Sequence, residues 1–198
     1  MIQIPTQPKV LSREGNKVVF EISPLYPGYG VTVGNSLRRV LVSSIEGASI
    51  TSIKIKGVNH EFSTIAGVVE DVIDVILNLK RVRFKLFTNE PVTLTLQAKG
   101  QKTVTAADIK ITSEVELVNP DQMIATMSDK KSEMEMELKI EKGVGYVPVE
   151  QRQKEKLGVG VIAVDAIFSP IKNVNYHVEN IRVGQRTDYN KVIIEIEM

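Results

Sequence analysis

From Ser132 to Glu141 the chain alternates strictly. Met134, Met136, Leu138 and Ile140 fall on one set of positions, and Glu133, Glu135, Glu137 and Lys139 on the other. A period of two is that of a strand with one buried face, so the glutamates are the solvent side of an antiparallel sheet. Thr51 to Val58 repeats the pattern, with Ile53 and Ile55 opposed to Lys54 and Lys56. Lys17 to Ser23 is a β-branched and aromatic run behind the turn signal Glu14-Gly15-Asn16. Val82 to Phe87 and Val92 to Gln97 flank Thr88-Asn89-Glu90-Pro91, and Glu114 to Val118 is a further short strand. Gly143 to Tyr146 is a glycine-rich turn, and Gln151 to Lys156 is a polar stretch expected as an exposed loop. Val159 to Ala166, Asn173 to Val183 and Lys191 to Glu197 complete the predicted strands.

Two stretches follow the helical period instead. In Pro27 to Gly47, Val33, Leu37, Val40, Leu41 and Ser44 recur at i, i+4, i+7, i+8 and i+11. Thr32 is the expected N-cap, and Gly47 the expected stop through positive φ. The second helix is predicted from about Gly67 to Leu79, capped by Ser63 or Thr64, with Val69, Val72, Ile73, Ile76 and Leu79 as its apolar stripe. Glu70, Asp71, Asp74 and Asn78 form its polar side, where Glu70 and Asp74 read as a solvated face. Lys80-Arg81 suits the negative end of the helix dipole. Helices do not alternate with the long run of strands, which predicts an α+β fold.

Arg38 and Arg39 sit in the middle of the first helix, about 100° apart around it. One lies beside the apolar stripe and the other faces away. Val42, off the main stripe, adjoins the Arg39 side. Two readings fit this helix: a core helix with a solvated arginine pair, or a helix apolar on more than one side because partners cover it. Gly28, Gly30 and Gly34 resemble the dinucleotide fingerprint G-x-G-x-x-G, but the last glycine comes one residue late. The preceding Ser23-Pro24-Leu25-Tyr26-Pro27 carries two prolines and is not expected to form the required strand.

The 25 basic and 24 acidic side chains leave a net charge of +1, so the composition implies no direct nucleic-acid contact. The chain has 198 residues, enough to bury a real core as one large domain or two small ones, and no cysteine. Disulfides, thiolate catalysis and cysteine–zinc sites are thereby excluded. No apolar run approaches ~18 residues and no signal-peptide pattern opens the sequence, so a cytoplasmic protein without membrane contact is expected. His60-Glu61 begins like H-E-x-x-H, but Thr64 stands where the second histidine belongs. His177 is expected as a core or interface side chain. Neither a G-x-S-x-G, nor a Walker A loop, nor a paired-aspartate metal motif is present, so no catalytic, cofactor or metal-binding residues are expected.

The stretch GYGVTVGNSLRRVLVSSIEGASI resembles the first helix region of the bacterial RNA polymerase α subunit, in its N-terminal domain. GVNHEFSTIAGVVEDVIDVILNLK, VTAADI, KGVGYVP and VDAIFSPIKNVNYHVENIRVGQRTDYNKVIIEI resemble later parts of that domain, in the same order and over nearly the whole chain. The resemblance implies a dimerisation subdomain built from both chain ends, 1–46 and 173–198, with helices on a small antiparallel sheet. A mostly β subdomain, 47–172, is inserted between them. It implies a non-catalytic subunit of a nucleotidyltransferase: a homodimeric scaffold that recruits the large β and β′ polymerase chains for transcription. Matched residue by residue, Val33, Leu37, Val40 and Leu41 belong to the dimer helix, Arg39, Val42 and Asp74 face β, and Lys80 faces β′. The family's next helix, linker and small DNA-binding domain fall beyond this sequence, so a weaker dimer without a route to promoter DNA is expected. Two other classes compete: a small enzyme using Gly28 to Gly34 as a phosphate cradle, and a stand-alone homodimeric binding module.

Overall fold

The computed structural model describes residues 5–152 and 158–198. In chain order the elements begin β1 (Lys9–Glu14), β2 (Lys17–Leu25), α1 (Tyr29–Ser43), β3 (Glu46–Ile55) and α2 (Val72–Leu79). Next come β4 (Phe84–Leu86), β5 (Val92–Lys99), β6 (Lys102–Thr105), a 3-10 turn (Ala106–Asp108), β7 (Ile109–Lys110), β8 (Val115–Leu117) and β9 (Met123–Met127). The chain closes with β10 (Glu133–Val144), β11 (Tyr146–Val147), α3 (Val149–Arg152), β12 (Val161–Ala163), β13 (Ala166–Ile167), β14 (Asn173–Val183) and β15 (Arg186–Glu197). Few helices and mostly antiparallel strands make the fold α+β, as the pattern predicts.

The chain divides into two compact units, residues 1–45 with 169–198, and residues 46–168. The first is a four-stranded antiparallel sheet in the order β1-β2-β15-β14, with α1 lying over β14 and β15. Ile22, Leu25, Val174, Val192 and Ile194 form its small core, with Val33, Leu37 and Leu41 of α1 packed against it half-buried. The opposite face of the sheet carries ion pairs, Lys17–Glu195 at 2.6 Å and Lys191–Glu179 at 2.6 Å.

The second unit is a larger sheet in the order β7-β5-β10-β3-β4-β8, with β12 also paired to β3. β10 is its centre. Met134, Met136, Leu138 and Ile140 are buried, while Glu133 and Glu135 pair outward with Lys99 at 2.8 Å and Lys56 at 2.9 Å. α2 packs Val72, Val75 and Leu79 into the same core.

Several expectations need correction. α1 begins at Tyr29, not after Thr32. Its N-cap is Gly28 at φ 85°, and Gly28 and Gly30 donate their backbone N–H to Asn190 Oδ1 at 2.9 and 3.2 Å. A side chain far along the chain thus does the work expected of the Thr32 hydroxyl. Gly47 does not stop the helix, which ends at Ser43. Gly47 lies in β3, opposite Gly143 of β10, where strand pairing claims its backbone. α2 starts at Val72 because the residues before it are tied elsewhere: Thr64 bridges Asp71, Val68 bridges Met127, and Asp71 Oδ1 caps Asp74 N at 2.8 Å. Glu70 is not a solvated helix residue. It accepts from Thr126 N at 2.7 Å and Thr126 Oγ1 at 2.9 Å. β2 does run through Pro24, because Ser23 and Pro24 bulge opposite Lys191, where no ladder N–H is needed.

The expected strand from Val159 to Ala166 resolves into β12 and β13, and β14 has the bounds expected of it. His177 is exposed on β14, its Nε2 3.1 Å from Glu179 Oε1, so it is not a core residue. Of the polar stretch Gln151 to Lys156, Gln151 and Arg152 close α3, and the remainder lies outside the described residues.

Candidate functional site

α1 approaches its sheet closely because two of its contact positions have no side chain. A Cβ on Gly30 would stand 2.5 Å from Val178 Cγ1, and one on Gly34 would stand 2.4 Å from the Tyr176 ring. Either would force the helix or the facing side chain to shift. Val33, Leu37 and Leu41 flank that contact. Val40 does not share it, being 55% exposed. The four residues matched to the dimer helix thus divide in the single chain: three meet the chain's own core and one faces outward.

The outward side of α1 carries Val31, Val40 and Val42 together with Arg38 and Arg39. Arg38 Nη2 donates to Asn35 Oδ1 at 3.2 Å. The Arg39 guanidinium makes no hydrogen bond or ion pair among the described residues, and Val42 lies one turn further along the same side. An unengaged guanidinium beside exposed valines is a surface with both directional donors and apolar area. The backbone N–H groups that a phosphate cradle would need at Gly28 and Gly30 already point at Asn190 Oδ1.

In the other unit, α2 leaves Ile73 and Leu77 exposed, one turn apart, with Asp74 between them. Beside them is an open cleft of about 240 Å³ floored by Ile76, Ile162 and Val164. Lys80 and Asp165 stand at its rim with Nζ and Oδ2 3.5 Å apart. Asp165 also accepts Val149 N at 3.0 Å. That backbone donor first, and the Lys80 ammonium after it, hold the Asp165 carboxyl below its usual range despite partial burial. The long Lys80–Asp165 contact leaves the ammonium free to take a second acceptor. Arg152 ties the neighbouring segment down through the carbonyls of Thr51 and Val164.

Sequence reasoning missed Asn190, Asp165 and Arg152. Asn190 had a readable signal: it breaks the period of Val192, Ile194 and Ile196, placing a polar residue at a core-facing position of β15. Asp165 and Arg152 had none, since their partners lie on other elements. Among the described residues no three of His, Asp and Glu converge in a way that could hold a metal ion. Nor is any helix among them long and apolar enough to cross a membrane.

Residues 53–169 match the family model described as the RNA polymerase Rpb3/RpoA insert domain, more than half of the chain. The chain belongs to that family. Its relatives include proteins named DNA-directed RNA polymerase subunit alpha. That of Symbiobacterium thermophilum is 50% identical over 187 residues, covering 94% of this chain and 59% of the relative. Those of Alkaliphilus oremlandii and Moorella thermoacetica are 48% identical over 201 residues and 52% identical over 177 residues. The alignments cover 99% and 89% of this chain, and 63% and 56% of the two relatives. The chain thus spans less than two thirds of the length of these relatives. The resemblance read from the stretch Gly28 to Ile50 and from the return segment is borne out along nearly the whole chain.

Proposed function

We propose that this chain is an assembly subunit of DNA-directed RNA polymerase, a homodimeric scaffold that recruits the large β and β′ chains without supplying catalytic groups itself. The observation that carries the reading is identity near one half, over 94% of the chain, to a protein named as the α subunit of that enzyme. The roles divide between the units. Residues 1–46 and 173–198 dimerise, and residues 47–172 form the inserted subdomain. Dimerisation uses the α1 side of the small sheet, where Val33, Leu37 and Leu41 stay half-buried and Val40 is bare. A second copy completes a core of only five buried apolar side chains among the described residues. Arg39 and Val42 then receive β together with Asp74, while Lys80 meets β′. An arginine with no partner of its own is suited to such a contact, because its planar fork makes several directed hydrogen bonds.

The experiment is light scattering combined with capture of separately purified β and β′ chains. Wild type is expected to run as a dimer that captures β. Val40→Glu tests the dimer without injuring the fold, because Val40 is exposed in the single chain. It is expected to give a folded monomer. A wild-type monomer that captures neither large chain would overturn the reading.

A further inference from the structure

Asn190 is among the few polar residues buried in the molecule, at 8% exposure, and it lies on β15 among apolar neighbours. Its Oδ1 accepts two hydrogen bonds from the first turn of α1, 2.9 Å from Gly28 N and 3.2 Å from Gly30 N. Its Nδ2 donates to Asn180 Oδ1 on β14 at 3.1 Å. The two N–H donors fix which end of the amide points at the helix. The side chain thus links three elements, with partners 162, 160 and 10 residues away in sequence. Gly30 is free of a Cβ where Asn190 Cβ would lie at 3.0 Å, so the amide and the missing side chain fit each other. Tyr26 packs edge-on against Tyr29 and Tyr189, with ring centroids 6.1 and 6.0 Å apart, and Arg186 lies over Tyr26 and Tyr189. These aromatic contacts join the same turn to the same hairpin.

We infer that Asn190 is a positioning residue: its buried carboxamide holds the start of α1 at a fixed place on the sheet, and this sets how the outward side of the helix meets a partner. The helix has no side-chain cap of its own and no acidic residue in its first turn. The Asn190 carbonyl therefore meets both the free N–H groups and the positive end of the helix dipole. A helix pinned at its amino end and seated on Tyr176 at Gly34 has two fixed points, and its remaining turns follow as a rigid rod. The inference rests on the proposed assembly role only for its consequence, partner capture; the pinning is a property of the free chain.

The test uses the 198-residue chain with two readouts, amide hydrogen exchange at Gly28 and Gly30 and capture of purified β. Asn190→Leu keeps the size and removes the acceptor. Asn190→Asp keeps the acceptor, and Asn180 can turn its own amide to donate. Val192→Ala, in the same strand and core, serves as a control of general destabilisation. Asn190→Leu is expected to speed exchange at Gly28 and Gly30 about tenfold, the loss of one to two ordinary hydrogen bonds, and to lower β capture. Asn190→Asp should retain slow exchange and capture, and Val192→Ala should melt earlier yet capture normally. If Asn190→Leu does not fold, Asn180→Ala, which frees the carboxamide to rotate, must speed exchange at Gly30. Unchanged exchange in Asn190→Leu, or loss of capture in Val192→Ala to the same degree, overturns the inference. Failure of the wild type to bind β overturns the assembly role and leaves the exchange result to decide the pinning.

Discussion

Arg38 and Arg39 are adjacent yet differently engaged, and the difference is one of partners. Arg38 is tied to Asn35 along the helix, whereas Arg39 has no acceptor among the described residues. Arg39→Ala should leave the melting temperature and the dimer mass nearly unchanged and weaken β capture by roughly 2 kcal/mol or more, as truncation of a hydrogen-bonded interface arginine does. Arg38→Ala should cost less in the same pull-down. Asp165 carries the second expectation at this scale. Its folded-state pKa lies below the ordinary carboxylate value, held there by Val149 N–H and Lys80. It therefore stabilises the protein above the unfolded value, near pH 4, and that stability is lost as pH falls through the folded value. Asp165→Asn should make the acid limb of a plot of melting temperature against pH shallower than in wild type below about pH 4, the remaining slope coming from other paired carboxylates such as Glu133, Glu135 and Glu179. That Arg39 is exposed could be read from the helical period. Asp165 could not, because its two partners lie 16 and 85 residues away.

β10 was legible almost residue by residue, because one face meets a dry core and the other meets water, and burial of that kind writes itself into alternation. α1 was legible in its middle and not at its ends. Its stripe is set by packing, which has a period. Its start is set by Asn190 and its end by the pairing of Glu46 and Gly47 with β10, and neither leaves a local trace. β1 escaped notice because all six of its residues are exposed, so nothing imposes a pattern on them. The seating of α1 yields a direct test. Gly34→Ala places a Cβ 2.4 Å from the Tyr176 ring, and overpacking of this kind costs about 1–3 kcal/mol. Urea unfolding should show that loss. Gly184→Ala, in a turn with open space around it, should show the backbone cost of its positive φ without any packing clash.

The two units differ greatly in what they bury. Among the described residues the unit of residues 46–168 holds 28 buried apolar side chains in one cluster, and the unit made from the chain ends holds five. Stability follows buried apolar area, so the first should fold alone and the second should depend on association. Residues 46–168 expressed alone are expected to melt cooperatively. Residues 1–45 joined to 169–198 by a short linker should melt at a temperature that rises with protein concentration, measured by circular dichroism across a hundredfold range, as linkage to association requires. A concentration-independent melt would place the missing stability within the single unit. That the chain ends build one unit came from the family resemblance. No composition shift marks the crossing points near residues 45 and 169, because each is a short connection between well-packed strands or helices and not a polar linker.

The pairing of β2 with β15 also has a consequence in time. During synthesis β2 leaves the ribosome with one edge covered by β1 and the other open. The strand that closes it begins at Arg186, some 160 residues after Leu25. At about 5–20 residues per second, the nascent chain carries Phe20 and Ile22 on an incomplete sheet for roughly 8–30 seconds. The whole inserted unit is made, and has time to fold, within that interval. Of its two neighbours, β2 thus meets β1 at once and β15 only after the whole inserted unit has been made, and a chaperone that shields a short, half-paired hairpin would find its target exposed during that wait.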